Sequence, residues 1–238
     1  MAATTTTLPA PFTWAGDHVA IELPHGVRVL FTTRRGGVSA PPFDTLNLGR
    51  WTEDDPEAVE ENRVRALGLT GAERFAYGRQ VHGTVVVRDS AEVLDCDGQV
   101  VTQPGVAAMA LTADCMPIAL AAPRAAAMVH AGWRGVAGGV VEEGVRLTRR
   151  VAAAAIGPCA RGCCYEVGDE VREAFGLEPV GGRALVDLPA IAAERLRALG
   201  VDEIHDCGLC TMCTDPSLFF SHRRDGGRTG RQAGIAWR

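Results

Sequence analysis

The sequence predicts an α+β fold, layered α/β/β/α with mixed central sheets, in a single domain spanning 14–238 behind a flexible N-terminal segment, 1–13. Three observations point that way. Short apolar runs recur between turn residues, helical periods follow Asp55, His130 and Asp187, and no regular βαβ alternation or nucleotide fingerprint arranges them as a doubly wound sheet. With 238 residues, 47% of them hydrophobic, the chain can bury one sizeable core.

Residues 1–13 are rich in Ala, Thr and Pro and lack the basic start and apolar stretch of a signal peptide. Val27–Thr33 reads as a strand running into the turn Arg34-Arg35-Gly36-Gly37. Asp55-Pro56-Glu57 opens a helix: Asp caps it, Pro suits its first turn, and the acid faces the positive end of the dipole. That helix should reach Leu67 and close at Gly68. Gly105–Thr112, Pro117–Ala122 and Ala125–Val129 read as strands, with Pro123-Arg124 a tight reversal joining the last two. Such a hairpin brings the Cys115 end of one strand beside the His130 end of the next. Beyond His130, Val136, Val140, Val141, Val145 and Leu147 follow a helical period, so His130 precedes a helix whose free N-terminal amides suit an anion. Asp187-Leu188-Pro189 begins a last helix, ended by Gly200.

Composition narrows the function. A net charge of −5 with interspersed signs gives no footprint for nucleic acid or an anionic membrane. All 24 basic residues are Arg, which excludes a lysine Schiff base. The longest apolar stretch, Val106–Ala122, is interrupted by Asp114, Cys115 and Pro117 and cannot span a bilayer. A cytoplasmic protein is expected, whose eight cysteines are thiols or metal ligands rather than disulfides.

Three soft-metal ligands end or interrupt apolar runs: His82 in Arg79-Gln80-Val81-His82-Gly83, Cys115 in Thr112-Ala113-Asp114-Cys115-Met116-Pro117, and His130 in His130-Ala131-Gly132-Trp133-Arg134-Gly135. Two imidazoles and a thiolate suit a tetrahedral zinc whose fourth position stays open for water or substrate. A rival is Cys207-x2-Cys210-x2-Cys213, with Cys159, Cys163 or Cys164 as further ligands. It lacks a second pair at zinc-knuckle separation and reads as neighbouring buried thiols. Spacing alone does not bring His82, Cys115 and His130 together.

The motifs also carry a resemblance. Phe31-Thr32-Thr33-Arg34-Arg35-Gly36-Gly37-Val38-Ser39, Leu46-Asn47-Leu48-Gly49, the three ligand segments, Ile156-Gly157-Pro158, Cys163-Cys164-Tyr165-Glu166-Val167-Gly168, Cys210-Thr211-Met212-Cys213 and Phe219-Phe220-Ser221-His222-Arg223-Arg224-Asp225-Gly226 occur in order from about Phe31 to Arg231. In these the chain resembles the multicopper polyphenol oxidase (laccase) domain family, now described as zinc-dependent purine nucleoside phosphorylases. The resemblance implies that His82, Cys115 and His130 bind Zn. It also implies phosphorolysis of adenosine, inosine, guanosine or methylthioadenosine, with adenosine deamination as a side activity. In the first reaction phosphate attacks ribose C1′ as the purine departs; in the second, hydroxide attacks C6 of adenine and ammonia leaves.

Six histidines without any His-x-His cannot assemble the copper clusters of a true multicopper oxidase, although copper is a possible adventitious occupant of the three-ligand site. Candidate phosphate-binding cations are Arg34, Arg134 and Arg223 or Arg224. Asn47, Gln80 and Asp114 are candidates for ribose, base or ligand hydrogen bonds. Asp114 is the candidate acid/base, although strand alternation would turn it away from Cys115. Arg79 and His222 stand where the family more often has Asn and Tyr. The expected partners are a purine nucleoside and phosphate, with the protein a monomer or weak homodimer. Two other functions fit the same residues: a cysteine hydrolase or deamidase using Cys115 with His130 as base, and a non-enzymatic zinc-stabilised interaction protein.

Overall fold

Alternation along the central strands sets the layering. In Val106–Thr112, Ala108 and Ala110 face one hydrophobic cluster while Ala107, Met109 and Leu111 face another. Met116–Ala122 divides likewise, with Ala119 and Ala121 on one side and Ile118 and Leu120 on the other. Both faces of each strand are therefore buried, which requires a sheet on one side and helices on the other.

The computed structural model, which describes residues 6–238, has that arrangement. One six-stranded sheet runs, in spatial order, Thr13–Ala15, His18–Leu23, Val27–Phe31, Gln232–Trp237, Val106–Thr112 and Arg74–Ala76. The other runs Glu203–Asp206, Ala153–Ile156, Met116–Ala122, Ala125–Ala131, Gly98–Val101 and Val86–Arg88. Both are mixed: parallel pairs join Arg74–Ala76 to Val106–Thr112, Ala153–Ile156 to Glu203–Asp206, and Val86–Arg88 to Gly98–Val101. The sheets pack face to face over alanines and a few large side chains, among them Phe31, Met128 and Phe219. The approach is close: a Cβ on Gly157 would lie 2.4 Å from the Phe31 ring, and one on Gly234 would lie 2.7 Å from Met128 Sδ.

Helix α1 (Pro56–Gly68) covers the outer face of the first sheet through Ala66. On the second sheet lie α2 (Trp133–Gly138), α3 (Val140–Thr148) and, beyond the small helix α4 (Asp169–Ala174), α5 (Leu188–Ala198). The layered α/β/β/α architecture is the one the sequence predicts. Asp55 caps α1 as expected, its carboxylate accepting from Glu57 N, and Asp187 caps α5 through Ala190 N. The Pro123-Arg124 reversal pairs Met116 with Ala131 and Pro117 with His130.

Two local expectations change. The helical period after His130 is split: Gly139, at φ 104°, ends α2 by donating to Gly135 O and then begins α3. Valine periodicity does not register a left-handed residue between two helices packed on the same face. Of the segment 1–13 expected to be flexible, residues 1–5 lie outside the described residues; the remainder is anchored. Phe12 is buried in the inter-sheet core, Leu8 packs against it, and Trp14 Nε1 donates to Thr6 O. Among the described residues no helix is long and apolar enough to cross a membrane.

Candidate metal centre and its cavity

Three segments meet at one end of the sheets. His130 lies near the end of Ala125–Ala131, Cys115 in the connection leading into Met116–Ala122, and His82 in a loop beside them. One donor atom from each lies within 4.8 Å of the other two. Cys115 Sγ is 3.7 Å from His82 Nε2, and the imidazoles stand edge to face with centroids 4.9 Å apart.

Asp97 arranges two of the three. Its buried carboxylate accepts from the amides of His82 and Gly83, at 3.0 and 2.7 Å, and more distantly from that of Val81. The same group pairs with His130 Nδ1 at 2.8 Å, which leaves Nε2 for the centre. His82 is thereby held at φ 58°, a conformation uncommon for a residue other than glycine. Burial opposes charge on Asp97, but His130 and the loop amides hold its carboxyl below the usual range. Burial likewise opposes ionisation of Cys115; the adjacent His130, with hydrogen bonds from both imidazoles, brings the thiol down to about 6. In His130, burial is outweighed by the Cys115 thiolate and Asp97, which lift the ring to about 9. The pair favours thiolate and imidazolium, and a metal would replace the Nε2 proton; the thiolate is the form in which Cys115 is a ligand or a nucleophile.

Space at the centre is reserved. A Cβ on Gly132 would lie 2.9 Å from His82 Cδ2 and 3.2 Å from Cys115 Sγ. Above the donors opens a cavity of about 390 Å³, within the range of small-molecule sites. Trp51, Leu111 and Tyr165 give it planar and apolar walls, and Arg223 and Arg231 give it cations. Burial pushes Tyr165 up to about 12, with the nearby Cys115 charge adding to it, so it is a phenol at neutral pH.

Residues 28–238 match the family model described as multi-copper polyphenol oxidoreductase laccase. The chain belongs to that family. It is 42% identical to a purine nucleoside phosphorylase of Pseudomonas aeruginosa over 232 residues, covering 90% of this chain and 94% of that protein. It is 37% identical to the purine nucleoside phosphorylase YfiH of Escherichia coli K12, covering 90% and 95%. Among solved structures, a Neisseria meningitidis protein aligns with TM-score 0.86 at 35% identity over 93% of this chain and 99% of that one. YlmD of Geobacillus stearothermophilus aligns at 0.87 and 31%, over 95% and 97%.

The histidines of this laccase-family chain are dispersed. His18 is buried and accepts from Thr33 N, and its ring is held below its ordinary pKa by burial. His205 pairs with Glu203, and only His222 joins His82 and His130 at the cavity.

Of the residues proposed from sequence, Gln80, Asp114 and Arg223 line the cavity with the three donors. Gln80 is fixed by both Leu111 N and Leu111 O at 2.7 Å. Asp114 does not continue the strand alternation: it sits at φ 88°, accepting from Thr211 Oγ1 and Arg223 N. Arg34 is elsewhere, held by Asp44 and stacked over Phe220. Arg134 reaches outward toward Glu170, and Arg224 is held by Asp225 and the carbonyls of Thr211 and Phe219. Asn47 lies behind the wall, fully buried, with Oδ1 accepting from Gly49 N and Arg231 N.

Asp97, Tyr165 and Arg231 belong to the site although no sequence expectation assigns them a role there. Tyr165 lies inside the Cys163–Gly168 motif, and Asp97, between Asp95-Cys96 and Gly98-Gln99, carries no pattern that marks it as buried. Arg231 gave no signal. The cysteine reading also changes. Cys163, Cys164, Cys210 and Cys213 converge; Cys159 and Cys207 are buried outside that group, although Cys159 pairs with Cys210 through the backbone, and Cys163 and Cys213 are exposed rather than buried.

Proposed function

We propose that the protein is a zinc-dependent purine nucleoside phosphorylase with adenosine deaminase side activity, acting in the cytoplasm as a monomer or weak homodimer. The observation that carries this reading is the convergence of His82, Cys115 and His130 at the floor of a cavity walled by aromatic and cationic groups. The names of the relatives support the substrate class. The donor set fits zinc: a thiolate-stabilising environment, two imidazoles with one fixed by a buried carboxylate, and a glycine leaving room beside them.

His82, Cys115 and His130 would hold the ion. When bound there, zinc supplies Lewis acidity toward the leaving base or an attacking water. The remaining work belongs to the chain. Trp51, Leu111 and Tyr165 take the purine and ribose between apolar faces, and the Tyr165 phenol donates to an acceptor on the nucleoside. Arg231 and Arg223 hold phosphate against ribose C1′, where its oxygen forms the new bond as the C1′–N9 bond breaks and the purine leaves with the proton that the hydrogen phosphate gives up. Asp114 positions Arg223 through its backbone amide rather than acting as a free base. Gln80, bonded to both Leu111 N and Leu111 O, fixes that part of the wall.

The test is metal content with turnover. Untagged protein should carry zinc, hold one zinc fewer per chain in the H82A/C115A/H130A variant, and release adenine from adenosine only with phosphate; inosine reports deamination. Zinc-loaded protein releasing neither product would overturn the reading.

One geometric feature favours a second reading. Cys115, His130 and Asp97 form a nucleophile–base–orienter series. In a cysteine hydrolase or deamidase, chelator-treated protein would keep its activity and thiol alkylation would abolish it. The phosphorylase loses activity to chelator and regains it with zinc.

A further inference from the structure

Away from the cavity floor, four sulfurs converge. Cys163 and Cys164 come from the turn before Tyr165, and Cys210 and Cys213 from the segment after Glu203–Asp206. All four Sγ atoms lie within 4.8 Å of one another, with those of Cys163 and Cys213 3.4 Å apart. A zinc ion with four thiolates at about 2.3 Å sets sulfurs on tetrahedral edges of about 3.8 Å. The four thiols already stand near that spacing.

Both pairs sit on closed turns, Cys164 N donating to Arg161 O at 2.8 Å and Thr214 N donating to Cys210 O at 3.1 Å, so the backbone holds the thiols together before any ion binds. A Cys163–Cys213 disulfide would leave Cys164 and Cys210 without a role in the cluster. Two exposed members give an ion a route of entry, and the buried Cys210 gives it an anchor.

We propose that Cys163, Cys164, Cys210 and Cys213 form a second, structural zinc site that ties the turn 161–165 to the segment 207–215. Four protein ligands close the coordination sphere, so this ion takes no substrate. Its position gives it work. Cys164 precedes Tyr165 of the cavity wall, and Cys210 precedes Thr211, whose hydroxyl donates to Asp114. Arg161, at the start of the turn, makes two 2.7 Å bonds to Asp206 and reinforces the same junction. Zinc uptake displaces the four thiol protons, so occupancy falls as pH falls.

The experiment counts zinc and thiols in full-length protein purified with reductant from zinc-supplied cells. Wild type should carry two zinc ions per chain, with one remaining both in C163S/C213S and in H82A/C115A/H130A. The second variant isolates this site whether or not the cavity site holds metal. Cobalt substituted into it should show the intense ligand-field bands of a tetrathiolate, absent when C163S/C213S is added. Both exposed cysteines tolerate serine without a core defect, and circular dichroism checks this. The proposal is overturned if H82A/C115A/H130A retains no zinc. It is equally overturned if wild type from cells lysed directly into denaturant and alkylating agent, without reductant, shows two thiols fewer than eight, the mark of a disulfide.

Discussion

Asp97 holds His82 through its backbone and His130 through its ring, so two donors depend on one carboxylate. Asp97→Asn keeps the size but loses the charge that selects the His130 Nδ1–H tautomer. Zinc affinity by chelator competition should fall about 10–100-fold, and unchanged affinity would remove Asp97 from the site. Gly132→Ala is a sharper probe. At φ −74° its backbone accepts alanine, so only the contact with His82 and Cys115 is at stake. Metal binding should be lost while the urea midpoint moves little. At this scale each donor was legible as a polar residue that ends or interrupts an apolar run, and the set of three only through the motifs that carry the family resemblance. Arg34, Asn47 and Arg134 were not, because an arginine's or asparagine's task depends on partners distant in the chain. Arg34 is held by Asp44 O and Asp44 Oδ1, with Pro216 O reached from the far end of the sequence.

Elements were read more securely where a cap and a period agreed. Asp55 and Asp187 mark their helices by side chains that bond amides two or three residues on. Asp55→Ala should cost about 1 kcal/mol of stability in urea titration. Gly139 was invisible to periodicity because conformation, not hydrophobicity, breaks the helix there. Gly139→Ala places a Cβ in the left-handed region and should cost about 1–2 kcal/mol. An equal midpoint for variant and wild type would mean that the α2–α3 junction relaxes at no cost. The hairpin was legible because Pro123-Arg124 lies between two runs of similar length, and its register follows from that two-residue turn.

For the whole molecule, acid should be the weak direction. Asp97 and Asp225 both have carboxyls held below the ordinary range. Burial opposes this in each, but His130 and loop amides prevail for Asp97, and Arg224, Thr229 and Ser221 N prevail for Asp225. Their stabilisation is fully present above the unfolded value of about 3.9 and is lost as pH falls through the lower folded values. Unfolding free energy should therefore drop below about pH 4, and Asp225→Asn should lower stability at pH 7 while flattening that dependence. A pH-independent difference between variant and wild type would assign Asp225 a packing role only. Layering was legible at this scale because both faces of the central runs are apolar. The order of strands within each sheet was not: residues as distant as Phe31 and Gly234 pair directly, and no local pattern announces such a partner.

That pairing has a consequence in time. Gln232–Trp237 fills the middle of the first sheet, between Val27–Phe31 and Val106–Thr112. At about 5–20 residues per second, translation delivers it roughly 10–40 s after Phe31. Until then two strands that end up central are bare edges, and Arg231, just ahead of the late strand, has not joined the cavity wall. The nascent chain thus passes its most aggregation-prone interval with the hairpin that bears His130 already made and the substrate cavity still incomplete. Chaperone demand should concentrate in that window.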